Sequence, residues 1–280
     1  MDTAGRQTTA MQSALLARLS AARVDYRHAL ALLDPEYREW RPEGKASYRL
    51  DDVAGVPLLT VETDGICHVL GEMCDATATP VARFISGRAL NEVSVFEESS
   101  FLLLRTRLTD GQWRLSRNYE AAADGFLPRP CRSVRPLGPE DEGLLESACQ
   151  AFPAIGGSCS TMRDFGYMVS GLPVTCYGAI VDSRLVGFCS ANPAYRGVTE
   201  ISWVVVAEGY RRSGIASGLL TAQTMEVFAR GERAAYYAGS AGVDLDLLVT
   251  GLGFREVSGD FRFIPASSRE QWRTTWGLAL

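Results

Sequence analysis

The stretch EISWVVVAEGYRRSGIASGLLTA, from Glu200 to Ala222, decides the fold of the second half of the chain. An apolar strand pattern runs into a short, basic, glycine-containing turn, and this turn opens a helix pattern. The first turn of a helix exposes unpaired N–H groups and the positive end of the helix dipole, so an anion is stabilised there. We therefore predict a phosphate-binding turn between this strand and this helix.

The predicted phosphate loop consists of six consecutive residues: Arg211, Arg212, Ser213, Gly214, Ile215 and Ala216. The arginines add charge-assisted donors. A side chain at Gly214 would hold a pyrophosphate away from the backbone, and one at Gly218 would crowd the helix against the sheet. The turn lacks the Gly-Lys-Ser/Thr ending of a Walker loop and the G-x-G-x-x-G spacing of a dinucleotide loop.

With these residues the chain resembles the GNAT superfamily of N-acyltransferases, whose phosphate loop follows the pattern Arg/Gln-x-x-Gly-x-Gly/Ala after the fourth strand. Further matches flank the loop, namely Val204–Val206, Gly209-Tyr210, Leu219-Leu220 and Gly251–Phe254. The resemblance covers the chain from about residue 132 to residue 265. It implies an α/β (α+β) domain with a mixed, mostly antiparallel sheet flanked by helices.

The resemblance also implies acetyl-CoA, or another acyl-CoA, as co-substrate. Its phosphates would lie on the loop and Ser217, and its pantetheine arm would bind the exposed backbone of Val204, Val205 and Val206. Any buried strand contains such valines, so the implied binding belongs to their backbone and not to their side chains.

The implied reaction moves an acetyl group to the amine of a small molecule, such as an amino sugar, an amino acid or an antibiotic-like metabolite. Such an amine is mostly protonated near neutral pH, since its pKa is about 10.4, so the reaction requires a base. Glu200 is the candidate, because many GNAT enzymes have a catalytic glutamate at this point of the strand. The alternative is a solvated carboxylate, or one paired with Arg196.

The general acid is less well defined, because Val249 occupies the position of the family's tyrosine. Tyr237 and Ser240 are the candidate substitutes, with Tyr236 beside them, and a structural role is the alternative for each. A thiolate is a fairly good leaving group, so a weaker or water-borne acid is also compatible with the reaction.

The chain has 280 residues, a length that suits two domains. We predict an N-terminal α+β domain at residues 1–130 and a catalytic domain at residues 131–280, with the boundary near Pro130 in a proline-rich connector at residues 121–139. The N-terminal domain has no motif that indicates chemistry. A degenerate GNAT-like copy, a lid and a dimerisation element remain open alternatives for it.

Residue patterns predict the elements of both domains. In the first domain we expect a helix at residues 9–33, a short helix at 80–88, and strands at 56–61, 66–70, 92–96, 101–108 and 113–117. In the second we expect a helix from about residue 139, a hairpin around residues 182–184, strands at 200–206, 233–237, 254–257 and 261–264, and helices at 215–230 and 243–250. Residues 156–173, the N-terminal domain and the loop after Tyr237 would select the acceptor. Phe165, Tyr167, Tyr195 and Trp203 would form either a pocket or core.

Composition disfavours several classes of function. A net charge of −5 and a pI near 5.3 disfavour a nucleic-acid partner. Seven scattered cysteines and two histidines predict free thiols in a reducing cytoplasm and no metal site, and free thiols are favoured over acyl carriers for Cys176 and Cys189. Neither a signal peptide nor a membrane span is expected.

Other functions remain open on the sequence. The same fold could serve a non-catalytic acyl-CoA-binding or regulatory protein, or an enzyme with O-acyltransferase or decarboxylase activity. A structural or interaction protein that binds CoA only for stability is a third reading. A homodimer is also left open.

Overall fold

A computed structural model of the protein describes residues 48–62, 65–156, 159–192, 197–238 and 243–268. These residues form two compact units. The first contains the described residues up to Ser116 together with residues 258–268, and the second contains those from Arg117 to Val257. The predicted boundary at residues 130/131 lies inside the second unit, because the chain passes between the units within two strands and not in the proline-rich connector.

The described residues contain eleven strands and seven helices. The strands are β1 (Tyr48–Val53), β2 (Val56–Val61), β3 (Ile66–Val69), β4 (Glu92–Val95), β5 (Gly111–Ala121), β6 (Val134–Pro136), β7 (Thr175–Val181), β8 (Arg184–Ala191), β9 (Val198–Val206), β10 (Arg233–Ala238) and β11 (Arg255–Pro265). The helices are α1 (Asp75–Ser86), α2 (Glu98–Arg105), α3 (Glu142–Ala151), α4 (Pro153–Gly156), α5 (Cys159–Val169), α6 (Ile215–Ala229) and α7 (Val243–Thr250).

The two units, each taken by itself, repeat one pattern of strand pairing. In the first unit β1, β2 and β3 pair antiparallel, β3 and β4 pair parallel across α1, and β4 pairs antiparallel with β11. In the second unit β7, β8 and β9 pair antiparallel, β9 and β10 pair parallel across α6, and β10 pairs antiparallel with β5. β6 adds an antiparallel edge beside β7. The mixed, mostly antiparallel sheet that we predicted is confirmed.

The core of the first unit lies on one face of its strands, under α1 and α2. The buried residues of α1 are Ala78, Val81, Ala82 and Ile85, a spacing that places them on one side of the helix. They pack with buried strand residues that include Leu58, Val69, Val93, Val95 and Phe263.

Three predictions for the first unit need correction. The apolar run at 101–108 is not a strand: it lies largely in α2, where Ser100 and Leu104 are buried and Leu102 is 54% exposed. A short apolar run does not distinguish a strand from a helix, which explains the error. Residues 48–53 form β1, where no strand was predicted, and the helix predicted at 80–88 spans residues 75–86. The strands predicted at 56–61, 66–70 and 92–96 are confirmed, and the helix predicted at 9–33 lies outside the described residues.

The second unit follows the predicted order more closely. The hairpin is confirmed, and Asp182 and Ser183 form its turn with φ values of 49° and 60°. The helices at 215–229 and 243–250 are also confirmed. Helix α5 was not predicted, and the last two predicted strands are one continuous strand, β11.

Helices of the second unit pack on both faces of its sheet. A Cβ atom at Gly187 of β8 would lie 3.0 Å from Ile215 and 3.1 Å from Leu219, so α6 covers that face. Ser190, three residues farther along β8, donates a hydrogen bond to Asp164 of α5 at 2.7 Å. Since side chains alternate along a strand, α5 lies on the opposite face.

Gly218 allows α6 to approach the connector closely. A Cβ atom at this position would collide with the Cβ atom and the backbone nitrogen of Cys131. We predicted that Gly218 keeps the helix from crowding the sheet. This prediction needs correction, because the close neighbour of Gly218 is Cys131 and not the sheet. Cys131 belongs to the connector, which runs along the first turns of α6.

We expect Gly218→Ala to lower the free energy of unfolding by about 1–3 kcal/mol, because the added methyl group overpacks this contact. Gly143→Ala is the matched control, since Gly143 lies in the first turn of α3 and a Cβ there meets nothing within 4 Å. The control should raise stability by roughly 0.5–1 kcal/mol, as Ala does in open helical positions. Urea unfolding followed by circular dichroism measures both, and equal effects would contradict the prediction.

An ion pair between the buried Asp141 and the exposed Arg135 fixes the start of α3 against the edge strand β6. Asp141 is 3% exposed and accepts two hydrogen bonds from Arg135, at 2.8 and 2.6 Å, and one from the Gly138 amide at 2.9 Å. The hydrogen bonds from Arg135, followed by that from Gly138, hold the pKa of Asp141 below its usual value of 3.8, although burial opposes the shift.

This ion pair predicts a specific pH dependence of stability. A carboxylate with a depressed pKa in the folded state stabilises the fold above its unfolded pKa and loses that contribution as the pH falls through its folded pKa. We therefore expect Asp141→Asn to be less stable than the wild type by about 1–3 kcal/mol at pH 6 to 7. The difference should shrink below about pH 4. Urea unfolding at a series of pH values checks this, and a constant difference would rule out the role of ionised Asp141.

Candidate active site

Strand β9 parts from its neighbour β10 halfway along its length. The parallel pairing runs from Val198 opposite Arg233 to Ile201 opposite Tyr236. In the part of the chain that the structure describes, β9 continues to Val206 without further partners in β10, whereas β8 follows it on the other side to that same residue. The backbone of the later half of β9 is therefore open on the β10 side.

The predicted pantetheine-binding residues Val204, Val205 and Val206 all lie in this open half of β9. Their side chains are half-buried. This arrangement fits an extended ligand that pairs with their backbone in the way an added strand would.

The turn after β9 brings the start of α6 to the surface. A short 3-10 helix at Glu208–Tyr210 precedes it, and Arg212 and Gly214 then take positive φ values of 63° and 84°. Gly214 is the N-cap of α6 and brings no side chain to cap the helix. The positive end of α6 is thus left for an external anion.

The residues of the predicted phosphate loop surround this helix start. Arg211, Arg212, Ser213 and Gly214 are exposed, and Ala216 and Ser217 are half-buried. Ile215 is 4% exposed, so its side chain is core, and only its backbone is suited to the predicted contact. The arginines, the glycine N-cap and the first amides of α6 together fit a pyrophosphate.

Glu200, the predicted base, lies in β9 on the face away from α6. Its neighbour Thr199 donates a hydrogen bond to Glu232, which follows α6, at 2.5 Å. Side chains alternate along a strand, so Glu200 points to the opposite face, and it is half-buried there. Its backbone carbonyl accepts a hydrogen bond from the amide of Asn192 at 2.8 Å.

A β-bulge lies beside Glu200. Ser190 stands opposite Trp203, and Ala191 stands opposite Ile201, which leaves Ser202 as the extra residue of β9. The Asn192 side chain donates a hydrogen bond to the Ser202 hydroxyl at 2.5 Å. Bulges often re-aim side chains next to active sites, and this one separates Glu200 from the open half of the strand.

Asp164 of α5, which lies on the same face as Glu200, was not among the predicted site residues. Asp164 is 2% exposed and accepts a hydrogen bond from Ser190. Burial raises its pKa, and the negative charge of Glu200 adds to this shift, while Ser190 and Arg163 oppose it. A signal was present, because Asp164 sits in a helix-spaced set with the buried residues Thr161 and Phe165.

The acid candidates are only partly described. Tyr236 is 5% exposed and stands opposite buried Ile201, and burial keeps its pKa well above the usual value. Val249, at the position of the missing tyrosine, is fully buried in α7. Tyr237 lies in β10, but its side chain is outside the description, and Ser240 lies outside the described residues.

The remaining candidates differ in their burial. Phe165, considered for a pocket, is 2% exposed, while Tyr167 is half-buried. The side chain of Trp203 and all of Tyr195 lie outside the described part. Burial raises the pKa of the Cys176 and Cys189 thiols, so both keep their protons near neutral pH and are poor acyl carriers.

Metal-binding groups and membrane-spanning helices are both absent from the described residues. These residues contain no group of three or more His, Cys, Asp or Glu side chains placed to bind a metal ion. Nor do they include a helix that combines the length and hydrophobicity needed to cross a bilayer.

Solved structures share this fold at low identity, so the likeness concerns the fold alone. A GCN5-related N-acetyltransferase from Kribbella flavida aligns over 87% of this chain and 96% of its own, with 15% identity and a TM-score of 0.58. One from Sphaerobacter thermophilus aligns over 82% and 84%, with 15% identity and a TM-score of 0.55. A tandem GNAT protein from the clavulanic acid biosynthesis pathway aligns over 75% and 78%, with 12% identity and a TM-score of 0.50.

Sequence comparison identifies the family. The comparison with curated proteins gave no significant match. Residues 143–244 match the family model described as acetyltransferase (GNAT) family. This range runs from α3 to the start of α7 and contains Glu200, the open half of β9 and the predicted phosphate loop. The chain therefore contains a GNAT-family acetyltransferase domain, which covers residues 143–244.

Proposed function

We propose that the protein transfers an acetyl group from acetyl-CoA to the amine of a small molecule, by direct attack with Glu200 as base. The observation that carries this proposal is the layout of β9. Glu200 lies at its paired beginning and the proposed phosphate loop follows its open end. Six residue steps, roughly 20 Å of strand, separate Glu200 from Val206. The proposed base, the open backbone edge and the proposed anion site therefore follow one another along β9 and the turn after it.

The proposed contacts to acetyl-CoA follow from this layout. Arg211, Arg212 and the backbone from Ser213 to Ser217 would hold its pyrophosphate, and the backbone of Val204–Val206 would hold its pantetheine arm. When bound, acetyl-CoA supplies the reactive acyl group as a thioester.

Glu200 then has one task, which is to move a proton. The acceptor arrives as an ammonium, and the Glu200 carboxylate takes one proton from it, so that the nitrogen lone pair becomes available. The nitrogen forms a bond to the thioester carbonyl carbon, and the carbon–sulfur bond breaks. The nitrogen loses a second proton as the amide forms, the leaving thiolate gains one, and Glu200 releases its own proton to solvent.

The acid that serves the thiolate stays a prediction. Tyr237 and Ser240 remain the proposed donors, and a thiolate leaves without strong assistance because its conjugate acid has a pKa of about 8.5. Buried Val249 in place of the family's tyrosine favours one alternative, a protein that binds acyl-CoA without turnover. The proposed partner is a small-molecule amine; the absence of nucleic-acid, membrane and metal partners, the cytoplasmic location and the homodimer stay predictions.

We also propose that the first unit is a degenerate copy of the same fold that binds no acetyl-CoA. Its equivalent strand–turn–helix runs from β3 to α1, and its turn is closed by its own contacts. The Ser100 hydroxyl accepts a hydrogen bond from the Met73 amide at 2.9 Å and donates one to the Gly71 carbonyl at 3.1 Å. The turn contains Glu72 and Asp75 where the second unit has arginines, and these acidic residues repel a phosphate.

The proposed reaction is tested by acceptor-dependent release of free thiol from acetyl-CoA across amino sugars, amino acids, polyamines and peptides, with products confirmed by mass. We expect Glu200→Gln to lower kcat by about 10²–10³-fold and to leave acetyl-CoA affinity within a factor of about two, because the amide keeps the shape but accepts no proton. Glu146→Gln, an exposed carboxylate of α3, is the control and should keep full activity. Binding of acetyl-CoA with no turnover by the wild type would favour the alternative.

Arg212 allows a clean test of the phosphate loop. Arg212→Gly removes the guanidinium but suits the positive φ, so it should weaken acetyl-CoA binding by about 10-fold without lowering stability. Arg83→Ala, an exposed arginine of α1, removes the same charge as a control. Titration calorimetry should give one acetyl-CoA per chain for the wild type. A second binding event that Arg212→Gly leaves intact would show that the first unit also binds.

A further inference from the structure

Asp164 is a buried carboxylate with few partners. It is 2% exposed, and carboxylates are almost never buried this deeply unless they are paired. Its short hydrogen bond comes from the Ser190 hydroxyl at 2.7 Å, and the Nε atom of Arg163 lies 3.4 Å from its other oxygen. Because the Arg163 side chain is 47% exposed, solvent weakens that ion pair.

The strand geometry brings Asp164 to the Glu200 side of the sheet. Its partner Ser190 and the next residue on that face, Asn192, are about 7 Å apart along the strand. Asn192 is hydrogen-bonded to the backbone of Glu200. Asp164 at Ser190 and Glu200 opposite Asn192 therefore lie on the same face of β8 and β9, two residues apart along β8.

The other titratable groups near Asp164 are few in the part of the chain that the structure describes. Its own helix contributes Arg163, β7 contributes the Cys176 thiol, and β9 contributes Glu200. Cys176 stays protonated because burial raises its pKa. Glu200 is therefore the neighbouring carboxylate on which a charge at Asp164 acts.

We propose that Asp164, held by Ser190, is a positioning residue that places a second negative charge beside Glu200 and so makes Glu200 a stronger base toward the acceptor ammonium. The inference rests on the proposed function. Two neighbouring carboxylates repel each other, and a proton taken up by one of them relieves this repulsion. In the reaction Glu200 receives the ammonium proton, whereas Asp164 forms no bond to acceptor or acyl group.

The test measures Glu200 in the full-length protein without relying on turnover. The ¹³C signal of the Glu200 carboxyl, assigned by its loss in Glu200→Gln, is followed by NMR from pH 3 to pH 9. We expect Glu200 to titrate at lower pH in Asp164→Asn than in the wild type. Ser190→Ala should shift it in the same direction but less, because Asp164 without its hydrogen bond holds its proton to higher pH.

Glu226→Gln is the matched control, since it changes a carboxylate to an amide on α6, on the other face of the sheet, and should leave the Glu200 titration unchanged. Ser190→Ala removes only a hydroxyl, so it carries the test if Asp164→Asn fails to fold. An unchanged Glu200 titration in both variants would overturn the inference, because a purely structural Asp164 would not move it.

The dependence of kcat/KM on pH separates this inference from the proposed function. We expect the acid limb of the profile to move to lower pH in Asp164→Asn, together with the NMR titration. Glu200 is not the base if its NMR titration moves in Asp164→Asn while the acid limb of kcat/KM stays in place. The same conclusion follows if no acceptor-dependent thiol release occurs. That result overturns the proposed mechanism and the catalytic part of the inference, whereas the electrostatic pairing of the two carboxylates stands.

Discussion

The separation of β9 from β10 is the constraint on which the candidate site depends. The two strands are parallel and joined by α6, and their pairing covers only the first part of β9. Backbone N–H and C=O groups need partners, so an interior strand edge left open is a place where an extended ligand can bind. The same separation directs the chain into the turn at Arg211–Gly214 and brings the start of α6 to the surface beside that edge.

Alternation along the strands divides the chemistry of the second unit between two faces. On the α6 face the neighbours are apolar, with Ile215 and Leu219 against Gly187. On the α5 face the strands carry Ser190, Glu200 and Ser202, and α5 adds Asp164. Proton transfer requires titratable groups that are partly shielded from water, and this second face provides them. The extra residue Ser202 interrupts the alternation of side chains along β9, so the polar face ends where the open half of β9 begins.

The two units illustrate how one chain topology can hold an open turn or a closed one. Both have a parallel strand pair joined by a helix, and both begin that helix after a short turn. In the first unit the Ser100 hydroxyl is hydrogen-bonded to the backbone of the turn before α1. In the second unit Gly214 has no side chain that could cap α6. The difference lies in a few residues of the turns and not in the strand order, which is why topology alone does not assign binding.

The sequence by itself determined the strand–turn–helix of the second unit, because an alternating apolar strand, a positive-φ glycine and a helix pattern are all local signals. The turn that precedes α6 and the position of Glu200 in β9 followed from that stretch. Local signals failed where a run was short and apolar, as in α2, and where a strand such as β1 is defined by its partner and not by its own residues.

Only the tertiary structure decided which distant residues meet. Ser116 and Val257 mark the passages between units because β5 and β11 pair with strands far away in sequence. Asp164 and Ser190 are 26 residues apart, and their hydrogen bond exists because α5 packs across β8. Burial and charge at such a point are sums over neighbours from several elements, so no single stretch of sequence contains them.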